Sequence, residues 1–227
     1  MKSVAEIFGI EIVTEDLYKY ALTHSSFTKE HNLPENQCYE RLEFLGDAVL
    51  KLTISDVLFN KYPDHREGDL SKIRSILVSD NTLADIAKKN GLQELIIMSK
   101  HEEKQGCRSL NSICACAFEA VLGAYYLDGK FNEIVEYIRK TFEPYIKDVE
   151  QHFEKFNAKA ILQEYTQGLN KKTPVYNVIN ETGPQHKKIF EVEVRYNDEI
   201  LAIEKGLSKK EAEQKCALSA CKKLGIV

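Results

Sequence analysis

The segment 40–50 contains three acidic residues whose spacing could bind a divalent cation. Glu40, Glu43 and Asp47 follow one another at i, i+3 and i+7, and on a helix this spacing stacks their carboxylates on one face. Clustered carboxylates repel each other, and their oxygens are the ligands that hard cations such as Mg²⁺ prefer. The spacing is also typical of a solvated acidic face, so both interpretations stay open at this point.

The three carboxylates share one face only if the segment is helical, and such a helix needs an apolar face that packs against the rest of the protein. A helix is predicted over residues 39–60, ending before Tyr62 and Pro63, because the residue before a proline disfavours helical backbone. A different face of this helix is apolar and is predicted to bury Leu42, Leu45, Val49 and Leu52.

The remainder of residues 1–150 is predicted to be helical as well. Apolar periodicity and end signals indicate helices over residues 68–78, 79–90, 110–127 and 132–149. The polar segment 99–108, which contains Gly106, is predicted to form a loop.

The second half of the chain changes character. A helix is predicted over residues 158–167, ended by Gly168, and the period-two pattern of residues 189–196 predicts a half-buried strand. Further strands are predicted over 175–180 and 199–205, and Ser208 is predicted to cap a closing helix over 209–224. The fold class is therefore α+β: an all-α domain over residues 1–150, a charged linker over 148–156, and a small α-β-β-β-α domain over residues 155–227.

Charge is divided unevenly between these halves. The chain has a net charge of −4, from 31 Lys and Arg against 35 Asp and Glu. Residues 151–227 hold 13 basic and 10 acidic residues, so they carry +3 while residues 1–150 carry −7. This division favours an acidic half that collects metal and a basic half that meets phosphate.

Composition and cysteine content indicate a protein of the cytoplasm. The sequence has no apolar run long enough to span a bilayer and no signal-peptide core near its start, so no membrane partner is expected. The six cysteines are expected to be free thiols in a reducing compartment. Cys114, Cys216 and Cys221 are predicted to serve as small core residues.

Four ordered segments together resemble the ribonuclease III family. Residues 40–50 (ERLEFLGDAVL) resemble its signature, residues 21–27 (ALTHSSF) its upstream segment, residues 67–74 (EGDLSKIR) its downstream segment and residues 117–128 (AFEAVLGAYYLD) its second acidic helix. The resemblance implies an endoribonuclease that cleaves double-stranded RNA by metal-dependent hydrolysis, leaving 5′-phosphate and 3′-hydroxyl ends. It also implies a helical nuclease domain that forms a homodimer, with apolar residues such as Phe44 at the interface.

The same resemblance implies roles for particular acids. Glu43, Asp47 and Glu119 become metal ligands, with Mg²⁺ as the expected ion and Mn²⁺ as a substitute, and Asp47 and Glu119 become the catalytic pair. Glu40 is a candidate for supporting the ligands or the dimer interface, and Glu67 for contacting substrate. His24 is expected to be a polar residue packed near the site and not a general base.

One departure from the family pattern affects the site. Residues 112–120 read SICACAFEA, and Cys116 stands where the resemblance implies a metal-binding aspartate. Neighbouring carboxylates should keep this thiol neutral near pH 7, so the site loses one negative charge and one oxygen ligand. The primary hypothesis is a working but weakened nuclease. The alternatives are a double-stranded-RNA-binding protein with little or no cleavage, and an RNA-binding scaffold that recruits other factors.

The basic half resembles a double-stranded-RNA-binding domain. The matching segments are residues 160–165 (AILQEY), 174–176 (PVY), 183–186 (GPQH) and 208–213 (SKKEAE). Such a domain recognises the shape and backbone of A-form RNA across its minor groove. The resemblance implies RNA contacts by Gln163, Glu164, His186, Lys209 and Lys210, and it implies structured precursors of ribosomal and messenger RNA as substrates.

Overall fold

The computed structural model describes residues 3–151, 153–184 and 188–227 of the chain. The fold divides into two compact units, Met1–Lys147 and Asp148–Val227. The α-helices of the first part of the chain are α1 (Val4–Phe8), α2 (Glu15–Ala21), α3 (Ser25–Glu30), α4 (Glu40–Lys61), α5 (Glu67–Leu77), α6 (Asp80–Asn90), α7 (Lys100–Lys104), α8 (Asn111–Leu127) and α9 (Phe131–Gln151). Short 3₁₀ turns occupy Glu35–Gln37, Leu92–Leu95 and Cys107–Ser109.

Helices α4 and α8 pack against each other at two glycines. A Cβ atom built on Gly46 would lie 1.7 Å from the carbonyl oxygen of Glu119, and one on Gly123 would lie 2.2 Å from that of Leu42. No side chain fits in this space, so the two backbones are in direct contact. The contact fixes the start of α4 against the middle of α8.

Around this crossing the first unit has a continuous apolar core. Helix α8 is buried along most of its length, and the side chains of Leu50, Ile54, Phe118 and Tyr125 are fully buried. Burial of side chains of this size is the main favourable contribution to folding. The core therefore holds both acid-bearing helices in one arrangement.

The end of α8 is tied to the start of α2 by a single carboxylate. Asp128 accepts hydrogen bonds from the backbone N–H of Val13 at 2.8 Å, from that of Thr14 at 2.9 Å and from the hydroxyl of Tyr18 at 2.9 Å. These bonds hold the pKa of Asp128 below its usual range, although partial burial opposes them. These hydrogen bonds fix the C-terminal end of α8 against the start of α2.

Two expectations for the first unit are wrong. Leu52, predicted to be buried, is 61% exposed, because it lies beyond the width of the α4 face that packs on α8. The segment 99–108, predicted to be a loop, contains α7 and a 3₁₀ turn. Ser99 caps α7 by accepting a hydrogen bond from the N–H of Glu102, and Arg108 fixes the segment by donating to the carbonyl of Ile96 at 2.6 Å.

The second unit has an α-β-β-β-α order, as predicted. Its elements are α10 (Phe153–Asn170), β1 (Val175–Thr182), β2 (Ile189–Tyr196), β3 (Glu199–Gly206) and α11 (Lys209–Lys223). The strands form one antiparallel sheet in the order β1-β2-β3. Asn197 and Asp198 both have positive φ, 47° and 66°, which suits a two-residue turn between β2 and β3.

One face of this sheet is covered by α10 and α11. The core contains Val192, Val194 and Leu201 from the sheet together with Cys216 and Cys221 from α11. Both cysteines are buried, as is Cys114 of the first unit, and this confirms their predicted core positions. Gly206 allows β3 to approach α11, since a Cβ there would lie 2.5 Å from the N atom of Ala212.

The predicted limits of the helices on either side of the linker are wrong. Helix α9 continues to Gln151 and α10 begins at Phe153, so the linker predicted over 148–156 is largely helical. Helix α10 also passes through Gly168 to Asn170, because a glycine weakens a helix without ending it when following residues still form helical hydrogen bonds. No helix in the described ranges is long and apolar enough to cross a membrane.

Candidate active site

The acids of α4 and α8 line one open cleft of about 890 Å³ in the first unit. Glu40, Glu43 and Asp47 all face this cleft, which confirms that the i, i+3, i+7 spacing places them on one face. Glu119 reaches the same cleft from α8, because the close approach at Gly46 brings its backbone against α4. The structure therefore brings together all four acids that the sequence analysis associated with metal or its surroundings.

Glu119 is the acid most affected by its surroundings. Burial, followed by the charges of Asp47 and Glu43 and a hydrogen bond to Asp47, raises its pKa to about 8. At neutral pH its carboxyl group is therefore largely protonated without a cation, and it donates this hydrogen bond to Asp47. A divalent ion between the two residues would favour their ionised forms.

Glu43 and Cys116 form a second pair beside the first. The thiol of Cys116 is hydrogen-bonded to the Glu43 carboxylate. Burial and the charge of Glu43 raise the pKa of Cys116 to about 12, so this thiol is neutral near pH 7, as predicted. Burial also raises the pKa of Glu43, and its bond from Cys116 opposes that shift. Cys116 supports Glu43 from α8 and does not itself line the cleft.

The donor chemistry of the cleft fits a hard cation held partly by water. Its anionic groups are all carboxylates, and burial, followed by the charges of neighbouring acids, raises the pKa values of Glu43 and Glu119. In the described part of the chain, no group of three or more His, Cys, Asp or Glu residues is arranged to hold one metal ion. Mg²⁺ suits such an incomplete set, because it keeps several of its own waters and needs only one or two carboxylates.

Three charged residues of the cleft were not among the candidate site residues of the sequence analysis. Lys51 donates a 2.7 Å hydrogen bond from Nζ to Oδ2 of Asp47. Arg74 lines the cleft from α5 and donates from Nη1 to Oγ of Ser55 at 2.8 Å. Asp80 lines it from the first turn of α6. The i+4 spacing from Asp47 could have indicated Lys51, whereas Arg74 and Asp80 arrive only through tertiary packing.

Two other candidates lie outside the cleft. Glu67 lines a neighbouring groove with Leu52 and Phe59, where its Oε1 accepts a 2.7 Å hydrogen bond from Ser71. His24 caps α3, since its Nδ1 accepts a 3.1 Å hydrogen bond from the N–H of Ser26. Burial lowers the pKa of His24, which keeps its ring neutral at pH 7.

In the second unit the candidate RNA-contacting residues lie on two helices that pack together. Gln163 and Glu164 are exposed on α10, and Lys209 and Lys210 are exposed at the start of α11. Ser208 caps α11 by accepting a 3.1 Å hydrogen bond from the N–H of Glu211. The remaining candidate, His186, lies outside the described residues.

Comparisons with known proteins match both units. Residues 14–146 match the family model described as Ribonuclease-III-like, and residues 158–224 match the double-stranded RNA binding motif. Proteins named Ribonuclease 3 from Staphylococcus haemolyticus (strain JCSC1435) and Staphylococcus aureus (strain Mu3) are 42% and 43% identical over 209 residues. These matches cover 92% of this chain and 85% and 86% of those proteins.

A solved structure resembles the first part of the chain. It is the nuclease domain of Ribonuclease III from Campylobacter jejuni, which is 39% identical, has a TM-score of 0.55 and covers 61% of this chain and 95% of that domain. The description of that structure refers to flexibility in a region involved in dimer formation. Another structure of the same domain is 38% identical, with the same TM-score, and covers 63% of this chain and 98% of its own.

Proposed function

This chain belongs to the ribonuclease III family, and on that premise we propose that its acidic cleft is the site where double-stranded RNA is hydrolysed. The chain is a double-stranded-RNA-specific endoribonuclease, because its relatives are named Ribonuclease 3 over nearly its whole length and its second unit matches an RNA-binding motif. The alternative of a binding protein without cleavage is not favoured by these matches.

One observation carries the assignment of the reaction to the cleft. Asp47 and Glu119 come from different helices and share a hydrogen bond in a partly buried site, where burial, followed by the charge of Asp47, raises the pKa of Glu119. Burying both carboxyl groups in their charged forms would be costly, which is why Glu119 keeps its proton in the absence of a cation. A protein retains such a pair most readily where a cation compensates for the cost during function.

We assign Asp47 and Glu119 as the catalytic pair and Glu43 as the third metal-site residue. Metal dependence is general in this family, and a divalent ion supplies Lewis-acid activation of water and phosphate. Mg²⁺ is the proposed ion, with Mn²⁺ as a substitute. Glu40 supports the site at the rim of the cleft, and Glu67 is proposed to contact the RNA from the neighbouring groove.

The chain's own residues prepare this site in three ways. Lys51 holds Oδ2 of Asp47 in position through a 2.7 Å ion pair. The Glu119 carboxyl would release its proton to solvent when a divalent cation binds, and Asp47 would then be free of the hydrogen bond that it accepts from Glu119. Cys116 orients Glu43 by donating its thiol hydrogen, but it adds neither charge nor oxygen. We therefore expect the site to be active but to bind a divalent cation more weakly than it would with an aspartate at position 116.

The second unit supplies affinity for double-stranded RNA, as its match to the binding motif indicates. We propose that Gln163 and Glu164 contact 2′-hydroxyls across one minor groove and that His186 contacts another. Lys209 and Lys210 are proposed to bind phosphate, because lysines at the start of a helix combine their own charge with the positive end of the helix dipole. We also retain 1–150 and 155–227 as the proposed limits of the functional domains.

A homodimer is proposed from apolar residues exposed on α4. Phe44, Leu52 and Phe59 are 81%, 61% and 71% exposed, and large exposed apolar side chains close together are typical of protein interfaces. The solved nuclease domain from Campylobacter jejuni is described as having a region involved in dimer formation. Each subunit would then contribute one cleft, and each cleft would cut one strand.

Physiological roles follow from the family. We propose cleavage to 5′-phosphate and 3′-hydroxyl ends, structured precursors of ribosomal and messenger RNA as substrates, and the cytoplasm as the location.

Cleavage of a long, perfect RNA duplex in Mg²⁺ tests the proposed function. The native chain is expected to shorten the duplex, and Glu119→Ala is expected to reduce the rate at least about 1000-fold, because it removes one side of the metal site. Glu133→Ala is the matched control, since Glu133 is in the first turn of α9 and does not line the cleft. The proposal fails if the native chain leaves the duplex intact in both Mg²⁺ and Mn²⁺.

A further inference from the structure

Asp80 is a fifth carboxylate in the cleft, and it comes from a helix that the sequence motifs do not include. It is the first residue of α6 and lines the same cleft as Glu43, Asp47 and Glu119. Helices α4 and α8 supply the other acids, so α6 is a third helix that contributes a carboxylate to the cleft. The cleft would have only its four motif acids if α6 began with a neutral residue.

The position of Asp80 is fixed by hydrogen bonds on both sides. Ser79 caps α6 by accepting a bond from the N–H of Thr82, whose hydroxyl donates to the carbonyl of Ile76 at 2.9 Å. The start of α6 is also tied to α8, because Asn111 donates to Oδ1 of Asn81 at 2.8 Å. The residues on both sides of Asp80 are therefore held by hydrogen bonds, and these fix the backbone that carries its side chain.

Asp80 is an acid without a compensating cation. In the described ranges neither Lys nor Arg forms an ion pair or hydrogen bond with it, whereas Lys51 pairs with Asp47 in the same cleft. The positive end of the α6 dipole favours an acid at this position, which explains why the helix tolerates it. The dipole alone does not explain why a further carboxylate lines a cleft that already contains four carboxyl groups.

The charge of Asp80 also acts on the residues nearest to the neutral thiol. After burial and the charges of nearer groups, it makes a further contribution to the raised pKa values of both Glu43 and Cys116. Because position 116 holds a cysteine, Glu119 is the only carboxylate that α8 adds to the cleft among the described residues. Asp80 adds a carboxylate to the same cleft from α6.

We propose that Asp80 is a positioning residue for the divalent cation, supplying from α6 the negative charge that Cys116 does not supply from α8. Asp80 acts through the electrostatic potential of the cleft and through water around the ion. This inference rests on the proposed function, since it assumes that the cleft binds a cation. It identifies Asp80 as a determinant of metal affinity that lies outside the family motifs.

Mn²⁺ binding to the full chain without RNA tests the inference, with electron paramagnetic resonance measuring free Mn²⁺. Asp80→Asn is expected to raise the dissociation constant about tenfold, the effect of removing one charge several ångströms from a divalent ion in a partly solvated site. Asp80→Glu keeps the charge and is expected to stay close to the native value. Asp16→Asn is the matched control, because Asp16 is an exposed acid in the first turn of α2 and does not line the cleft.

A second carboxylate at position 116 tests the compensation directly. In the Cys116→Asp background, Asp80→Asn is expected to weaken Mn²⁺ binding only about threefold, because neighbouring charges that serve one ion are not additive. An equal loss in both backgrounds overturns the compensation. Equal affinities for Asp80→Asn and Asp16→Asn overturn the role of Asp80.

The outcome for Asp47→Asn distinguishes this inference from the proposed function. If Asp47→Asn abolishes Mn²⁺ binding while Asp80→Asn leaves it unchanged, the cleft is the metal site and only the inference about Asp80 fails. If neither substitution changes binding, the ion lies elsewhere and the proposed function fails with it. Far-UV circular dichroism of each variant confirms that the helices are retained.

Discussion

The two units use charge in opposite ways. In the cleft of the first unit, like charges are brought together by packing, and repulsion and burial raise the pKa of Glu119. In the second unit, Glu181 accepts ion pairs from Lys188 at 3.0 Å and Lys209 at 3.3 Å, which lower its pKa. A site that must bind a cation keeps unbalanced negative charge, whereas a surface that meets RNA can balance its acids with exposed lysines.

The units also differ in how precisely the backbone must fit. In the first unit, Gly46 and Gly123 allow two helices to touch where the acids converge. In the second unit, Gly168 lies within α10 and has nothing within 4 Å of its potential Cβ. A glycine is therefore essential to the geometry of the cleft, while a helical glycine in the second unit has no packing role.

The largest effect is expected from substitutions at the two glycines just compared, Gly46 and Gly168. Gly46→Ala places a methyl group against the carbonyl of Glu119, so it is expected to destabilise the first unit by about 3 kcal/mol or more and to abolish cleavage. Gly168→Ala is the control and is expected to stabilise the second unit by about 0.5–1 kcal/mol, since alanine favours a helix. Urea unfolding of both variants measures the difference, and similar effects at the two glycines would contradict it.

The next effect separates binding from chemistry. The double change Lys209→Ala with Lys210→Ala is expected to weaken binding to an RNA duplex about tenfold and to reduce the salt dependence by about two counterions. Cleavage at saturating RNA should persist, because the cleft is unchanged. Fluorescence anisotropy at several salt concentrations measures the slope.

Lys222→Ala is the control for this pair, because Lys222 is exposed in the last turn of α11. An unchanged salt slope in the double variant, or an equal change with Lys222→Ala, would show that the start of α11 is not the phosphate contact.

A smaller effect is expected from changing the charge at position 116 in the cleft. Cys116→Asp adds a carboxylate beside Glu43, so cleavage at limiting Mg²⁺ is expected to rise about tenfold through tighter metal binding. Cys116→Ser stays neutral and is expected to match the native chain. A gel of duplex RNA at several Mg²⁺ concentrations compares the three proteins. Cleavage by Cys116→Asp alone would instead identify the native chain as an RNA-binding protein without activity.

The smallest effect concerns the stability of the metal-free protein. The pKa of Glu119 is raised to about 8 in the folded state, so folding favours its protonated form. That stabilisation is complete below the unfolded pKa of about 4.5 and is lost as pH rises towards 8. In EDTA, the difference in melting temperature between native chain and Glu119→Gln is expected to change by a few degrees between pH 5 and pH 8.

The sign of this change decides the result. The native chain should lose stability relative to Glu119→Gln as pH rises, because glutamine has no proton to lose. A parallel pH dependence in the two proteins would show that Glu119 is already ionised in the folded state.

Sequence patterns predicted most of the elements because the signals are local. The strand Ile189–Tyr196 agrees with its prediction, and α6 and α8 begin within a residue of theirs, since period-two alternation and helix caps act over a few residues. The predictions of a helix end at Gly168 and of a buried Leu52 were wrong because the outcome there is not local. Whether α10 continues past a glycine, and whether a leucine of α4 finds a partner, depends on neighbours that local patterns do not include.

The sequence by itself determined the family, the order of the two domains and the helical face that carries Glu40, Glu43 and Asp47, because motif wording and helical period are properties of contiguous residues. Tertiary structure alone decided that Glu119 meets Asp47 across Gly46, that Cys116 bonds to Glu43, and that Asp80 joins them from α6. These contacts join residues that are far apart in the chain, and only the packing of whole helices brings their charges within interacting distance.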